Sequence, residues 1–293
     1  MKLVRFLIKE VLLNGILFVL AGTVILSLLY LVSTNADAAA YLDALKTFGM
    51  ILIGRGGERA IGHTSGDIIL AGAVETLPLA LISLAFLVLF TLIGAAYATT
   101  SHYMAVNFGK KTNERIEKCL YFLFSVFAAI PLFVGFWLMY VIWGNNGAML
   151  PLIALGTILF GGLTWDALNF LKADMLGQVG QVHGILFSTL GDHKLGRLLP
   201  LSGTYSGYLF SSSLPRFLPY LAGKISAIIG SVTIAEIAFD LPGLGKNLID
   251  AMVQTNTNLL ITSVFVLLII NAIVSFIVKL IMFLVYPRVY EGA

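Results

Sequence analysis

The chain has 293 residues, 59% of them hydrophobic and only 11% charged, with a mean hydropathy of +0.96. Soluble domains carry about 25% charged residues, so this composition excludes an ordinary soluble globular protein and indicates an integral membrane protein. The net charge of +3 calls for no nucleic-acid partner, and the single Cys119 excludes an internal disulfide or a cysteine-built metal cluster.

A bilayer core needs about 20 apolar residues per helix. Six stretches reach that length, which predicts an all-α integral membrane protein with six transmembrane helices. The first, Val11 to Val32, follows Lys2, Arg5 and Lys9; its run is too long for the apolar core of a signal peptide, so it reads as a retained helix. A polar segment from Ser33 to Ile68 separates it from the second span, Ala73 to Thr99. A charged loop, Ser101 to Lys118, leads to the third, Cys119 to Trp143, and the turn Gly144-Asn145-Asn146-Gly147 to the fourth, Ala148 to Leu171. A long semi-polar stretch, Lys172 to Arg216, precedes the fifth span, Phe217 to Phe239. The sixth is Leu259 to Tyr286.

With the N-terminus inside, thirteen of the 18 Lys and Arg fall on the inner side. Four fall outside: Lys46, Arg55, Arg59 and Lys246. Lys279, in the last span, is close enough to its inner end to snorkel. Positive charge marks the cytoplasmic side, so both termini are expected in the cytoplasm.

Between the fifth and sixth spans, Pro242-Gly243-Leu244-Gly245 interrupts the apolar run, because proline removes a backbone donor and glycine tolerates dihedrals other residues avoid. A short amphipathic piece, Asn247 to Met252, follows. Lipid cannot satisfy a broken backbone, so this segment must be buried in protein or line water. Glu236 lies just before it, where a carboxylate either braces the broken segment or faces a pathway. Asp166, in the fourth span, has two readings: a cavity carboxylate, or the partner of a basic group at the cytoplasmic face. Glu75 reads as a solvated helix start. Phe133, Phe136, Trp137, Tyr140 and Trp143 read as an interfacial belt packing against lipid. His63, His102, His183 and His193 are scattered without metal-ligand spacing, so no metal site is expected. Gly243-Leu-Gly245-Lys246-Asn247 fails as a phosphate loop, since Asp240 stands where the first glycine belongs and Asn247 where Ser or Thr belongs. No catalytic residue is predicted.

Taken together, several of these pieces resemble one family. Glu236-x-x-Phe239-x-x-Pro242-Gly243-Leu244-Gly245, with Leu248, Asp250 and Ala251 after it, is similar to the signature of the B-type inner-membrane permeases of dipeptide, oligopeptide and nickel ABC importers. Glu75-Thr-Leu-Pro78 resembles the start of that family's second helix, after Gly66-Asp67. Ile130-Pro131-Leu-Phe133 resembles its third-helix element, Leu150-Pro151-Leu152 the opening of the fourth, and Lys172-Ala-Asp-Met175-Leu176 its exit. These matches span about Gly66 to Tyr286.

The resemblance implies a type I importer fold in a bacterial cytoplasmic (inner) membrane. Residues 1–72 would hold the first helix and a periplasmic segment, 73–287 the permease core with a cytoplasmic loop at about 172–216, and 288–293 a tail. In that loop Asp192, His193, Lys194, Leu195, Gly196, Arg197, Leu198, Leu199 and Pro200 would form a coupling helix, with Leu218-Pro219 closing it at the membrane. Pro200 stands where glycine is usual, and about ten residues, Gly180 to Leu190, are inserted before the loop. Glu236, Phe239, Pro242, Gly243, Leu244, Gly245 and Asp250 would form a periplasmic gate. Implied partners are a second homologous permease, two ABC ATPase subunits that bind ATP and Mg, and a periplasmic or lipid-anchored substrate-binding protein. The chain itself would hold no cofactor and catalyse no bond chemistry. Peptides are the implied cargo. Nickel, an exported solute, or an ATP-independent channel or carrier stand as alternatives.

Overall fold

The computed structural model of the chain describes residues 2–33, 46, 59–60, 63–108, 112–144, 149–189, 204–254 and 257–285. The described residues are almost entirely helical. In chain order the helices are α1 (Lys2–Ser33), α2 (Ser65–Phe108), α3 (Thr112–Ala129), α4 (Leu132–Trp143), α5 (Leu150–Leu159), α6 (Leu163–Val179), α7 (Val182–Thr189), α8 (Tyr205–Ala238), α9 (Leu244–Val253) and α10 (Thr257–Val285). A 3-10 turn, Phe160–Gly162, joins α5 to α6. Two-residue strands, β1 (Arg59–Ala60) and β2 (His63–Thr64), pair antiparallel before α2.

Five helical segments are long and apolar enough to cross a membrane: Leu7–Ile25, Leu70–His102, Leu150–Val179, Tyr205–Ala238 and Thr262–Ile281. A sixth arises if α3 and α4, bent by 96° at their junction, count as one span. The chain is therefore a multi-pass membrane protein by the length and composition of its helices. It divides into two compact units, one of Met1–Pro78 with Phe239–Ile277, the other of Leu79–Ala238 with Val278–Ala293.

In the first unit, Phe18 of α1 packs on Phe265 of α10 with ring centroids 5.6 Å apart. The apolar residues Val11, Leu12, Ile16 and Leu20 of α1 are exposed. On a spanning helix that face meets lipid.

The second unit is organised by two helix breaks that face each other. Ile130 precedes proline, which biases it away from the helical region. Pro131 (φ −56°, ψ 140°) has no N–H to continue the ladder, so α3 ends and α4 departs at 96°. In the neighbouring pair, Gly161 (φ 71°) and Gly162 (φ 85°) adopt the left-handed conformation that glycine alone takes at no steric cost. The Gly161 N–H donates to the Ile130 carbonyl at 3.1 Å, so each break satisfies the other. The Thr164 hydroxyl donates to the Ile158 carbonyl at 2.9 Å, satisfying another acceptor at the α5–α6 break. Phe160 fills the space between the breaks, edge-on to Phe136 and tilted against Phe127. Gly135 lies directly on the Phe160 ring and leaves no room for a Cβ.

Residue pairs fix the helix directions within this unit. Glu117 meets Lys172, Tyr121 meets Trp165 and Ile130 meets Gly161, so α3 runs antiparallel to α6. Ser83 meets Thr157 at 2.7 Å and Gly94 meets Leu168, so α2 runs parallel to α5 and α6.

Several sequence expectations are corrected here. The third span is not one straight helix but the bent pair α3–α4. Most of the expected loop from Ser101 to Lys118 is helical, because α2 continues to Phe108 and α3 starts at Thr112. Glu75 is exposed but lies about three turns into α2, not at its start. The semi-polar stretch from Lys172 to Arg216 is helical at both ends: α6 runs on to Val179, and α8 begins at Tyr205. Leu218-Pro219 therefore sits inside α8, which also contains Pro215. Phe136 leaves the predicted aromatic belt and is fully buried, while Phe133 and Trp137 are exposed.

If the Gly135–Phe160 contact holds the two breaks together, Gly135→Ala should destabilise the protein by roughly 1–3 kcal/mol through overpacking. Gly135→Ala with Phe160→Leu should recover part of that loss. Thermal unfolding of the detergent-solubilised protein measures both.

Candidate functional site

The Pro-Gly-Leu-Gly segment belongs to the first unit. The preceding helix stops at Ala238, four residues before Pro242. The reversal is made by Asp240, at φ 55°, a conformation aspartate tolerates better than most residues. Its carboxylate accepts an ion-paired hydrogen bond from Lys246 at 2.6 Å, which holds the Lys246 ammonium above its ordinary pKa. Gly243 is extended (φ −97°, ψ −178°), and Leu244 and Gly245 already belong to α9. The breaker is thus Phe239 to Gly243, and the second half of the motif begins a helix.

Close approach, not an unusual dihedral, is what the glycines supply. A Cβ on Gly72 of α2 would sit 2.5 Å from Asn247 Nδ2, 3.2 Å from the Leu244 nitrogen and 3.3 Å from the Gly243 carbonyl carbon. One turn further along α2, Thr76 is fully buried. Its Oγ1 donates to the Gly72 carbonyl and accepts the Leu244 N–H, each at 3.0 Å. The first N–H groups of a helix have no partner within it. Thr76 caps α9 from another helix, 168 residues away in sequence.

Of the expected gate residues, Phe239, Gly243, Leu244 and Gly245 are buried, Pro242 is exposed and Asp250 is half-buried. Glu236 belongs to the second unit, in the last turn of α8, and is 1% exposed. A carboxylate so deeply buried in a spanning helix faces protein, not lipid. The expected coupling residues, Asp192 to Pro200, lie outside the described residues. Among the described residues no three His, Cys, Asp or Glu side chains cluster as metal ligands would.

Asp166 pairs with a base, the second of its two readings. Its carboxylate meets Lys224 at 3.0 Å, and this is one rung of three between α6 and α8. Phe170 stacks on Tyr220 at 4.1 Å with planes 7° apart. Asp174 meets Arg216 at 2.6 Å. On each helix the three residues are spaced by four, which places them on one face, and the opposed order makes the helices antiparallel. The opposite side of α6 carries Lys172, which bonds Glu117 at 2.7 Å and lies 3.9 Å over the Tyr121 ring. Spanning helices are thereby joined by charge pairs that satisfy each other internally.

Sequence reading missed Thr76, Gly72 and the α6–α8 ladder. Thr76 gave no signal, since a buried threonine in an apolar helix resembles many others. The ladder did have one: acid-aromatic-acid at 166, 170 and 174 mirrors base-aromatic-base at 216, 220 and 224. No protein-family model matches the chain, and no curated protein matches it in sequence.

Thr76→Val keeps the shape but removes the acceptor for a buried N–H, and should cost about 1–3 kcal/mol, whereas Thr76→Ser should be near neutral. Thermal unfolding, together with protease sensitivity of the 239–253 segment, reads this out. Single reversals Asp166→Lys or Lys224→Asp should each cost roughly 1–3 kcal/mol. The double exchange should restore most of the loss, and a double-mutant cycle of melting temperatures measures that recovery.

Proposed function

We propose that the chain is the membrane-spanning permease subunit of an ATP-driven importer, forming with a second permease a pathway for peptides or a similar small solute. The observation that carries this reading is the Thr76–Leu244 hydrogen bond. It joins two of the stretches whose sequences resemble the importer permeases, Glu75 to Pro78 and Glu236 to Gly245. In this reading the turn and α9 form the outer mouth of the pathway. Asp192 to Pro200 dock on an ATPase that supplies ATP and Mg chemistry, and a substrate-binding protein delivers the cargo from outside. ATP binding drives alternating access as a rigid-body movement of helices.

Helix directions support a crossing by α3–α4 between α2 and α5–α6, and the distribution of Lys and Arg supports cytoplasmic termini. Because α2 and α5–α6 are parallel neighbours, the chain must return across the membrane between them, and α3–α4 is the segment available to do so. The pairing of Glu117 with Lys172 agrees, since it sets the start of α3 beside the end of α6. The second reading, an ATP-independent carrier, is favoured by the facing breaks, because such carriers use discontinuous helices at mid-membrane. Here the broken backbones bond each other instead of lining an ionisable site.

Purification of the tagged chain from its native membrane should bring with it an ATPase and a second permease, and transport in vesicles should stop on ATP depletion. Gly196→Glu with Arg197→Glu should abolish ATPase association. Transport that persists without ATP, with no ATPase co-purifying, would overturn the proposal in favour of the carrier.

A further inference from the structure

We infer that the outer face of the α6–α8 rungs lines a water-filled passage through the hydrocarbon layer, with the Asp166–Lys224 pair in its wall. The register of the rungs fixes the depth of that pair. Asp166, Phe170 and Asp174 stand opposite Lys224, Tyr220 and Arg216. Val179, where α6 ends five residues beyond Asp174, therefore lies level with position 211, five residues before Arg216. The other limit is Ala238, where α8 ends. The stretch of α8 that crosses the bilayer beside α6 is thus contained in 211–238. A crossing takes about 20 residues, so wherever it is placed it starts no later than about 219 and ends no earlier than about 230. Lys224 lies at least about five residues inside both limits, roughly 7 Å of helical rise. Asp166 is level with it.

Lys224 donates to Asp166 Oδ2 at 3.0 Å and lies 5.3 Å from the centre of the Tyr220 ring. Even so paired, the Asp166 side chain is 55% exposed and that of Lys224 23%. A lysine can snorkel toward the interface on its long stem, but an aspartate at this depth cannot. A half-exposed carboxylate is too costly to leave against lipid, and charges inside a membrane face a bundle interior or a water-filled cavity.

The pair is neutral as a whole, so it calls for no charged partner. It calls for a medium that solvates the open side of the carboxylate, and water does so. The helix surface beside the pair is open as well. Gly223 and Ala227, one residue before Lys224 and three after it, are exposed, and a Cβ on Gly223 would meet nothing within 4 Å. A carrier needs such a passage as much as an importer does, so nothing here depends on the choice between them.

Labelling with charged thiol reagents tests it. In a Cys119→Ser background, Gly223→Cys and Ala227→Cys are made singly in the full chain. Ile16→Cys, midway along the Leu7–Ile25 span on the exposed side of α1, is the lipid-facing reference. Sealed membrane vesicles of both orientations are treated with membrane-impermeant cationic and anionic methanethiosulfonates. Only a thiolate reacts, and a thiol in apolar surroundings stays protonated. Gly223→Cys and Ala227→Cys should react roughly tenfold or more faster than Ile16→Cys, because water at the passage wall ionises the thiol and carries the reagent. Rates as slow as the reference at both positions would overturn the proposal, since lipid or another protein would then cover the face. So would reaction that begins only after detergent solubilisation.

Discussion

A broken helix inside a membrane must find partners for its freed backbone groups within the protein, and in the second unit one exchange between the two breaks is central to meeting that demand. The Gly161 N–H bonds the Ile130 carbonyl, so neither break is left to lipid. Other features of the unit follow from this exchange. It fixes α3 beside α6, brings Phe160 between Phe127 and Phe136, and requires Gly135 where a side chain would strike the ring. Remove proline at 131 and α3 could run straight, but the carbonyl that Gly161 uses would then be occupied within the helix.

Much of the architecture was legible in the sequence. The apolar runs beginning near Val11, Ala73, Ala148 and Leu259 all correspond to helices, because about 20 apolar residues leave few other stable states. The sharp bend at Ile130-Pro131 was not legible. Proline is tolerated inside α2 at Pro78 and inside α8 at Pro215 and Pro219, and nothing local separates those cases from Pro131. The difference lies in Gly161, thirty residues away. Helix ends were likewise misjudged where polar residues such as Asp174 and Arg216 suggested a loop, because each polar group is satisfied by the other helix.

The candidate site shows the same division. Sequence alone marked Pro242 to Gly245 as a breaker, and the chain does break there, but the reversal belongs to Asp240 and the second half of the motif begins α9. What the local sequence could not carry is the capping of α9 by Thr76, since the two are joined only by the fold. Asp166 has its basic partner, Lys224, on the facing helix, a pairing that the local sequence does not specify. Glu236 remains the deeply buried carboxylate of α8, as its position in an apolar helix implied.

The three rungs between α6 and α8 have a bearing on what the chain tolerates in between. Residues 166, 170 and 174 meet 224, 220 and 216 in strict antiparallel order, so deleting one residue from either helix would displace the rungs beyond it together. The rungs themselves set no register for the connection from Gly180 to Thr204, of which residues 190–203 lie outside the described ones. Its ends are held by the rungs, and lengthening a closed loop adds little entropy cost, about 0.6 kcal/mol per doubling. Insertions should therefore collect in that connection and be absent from the helical faces that carry the rungs. The helix α7 lies in that connection, outside the register that the rungs set.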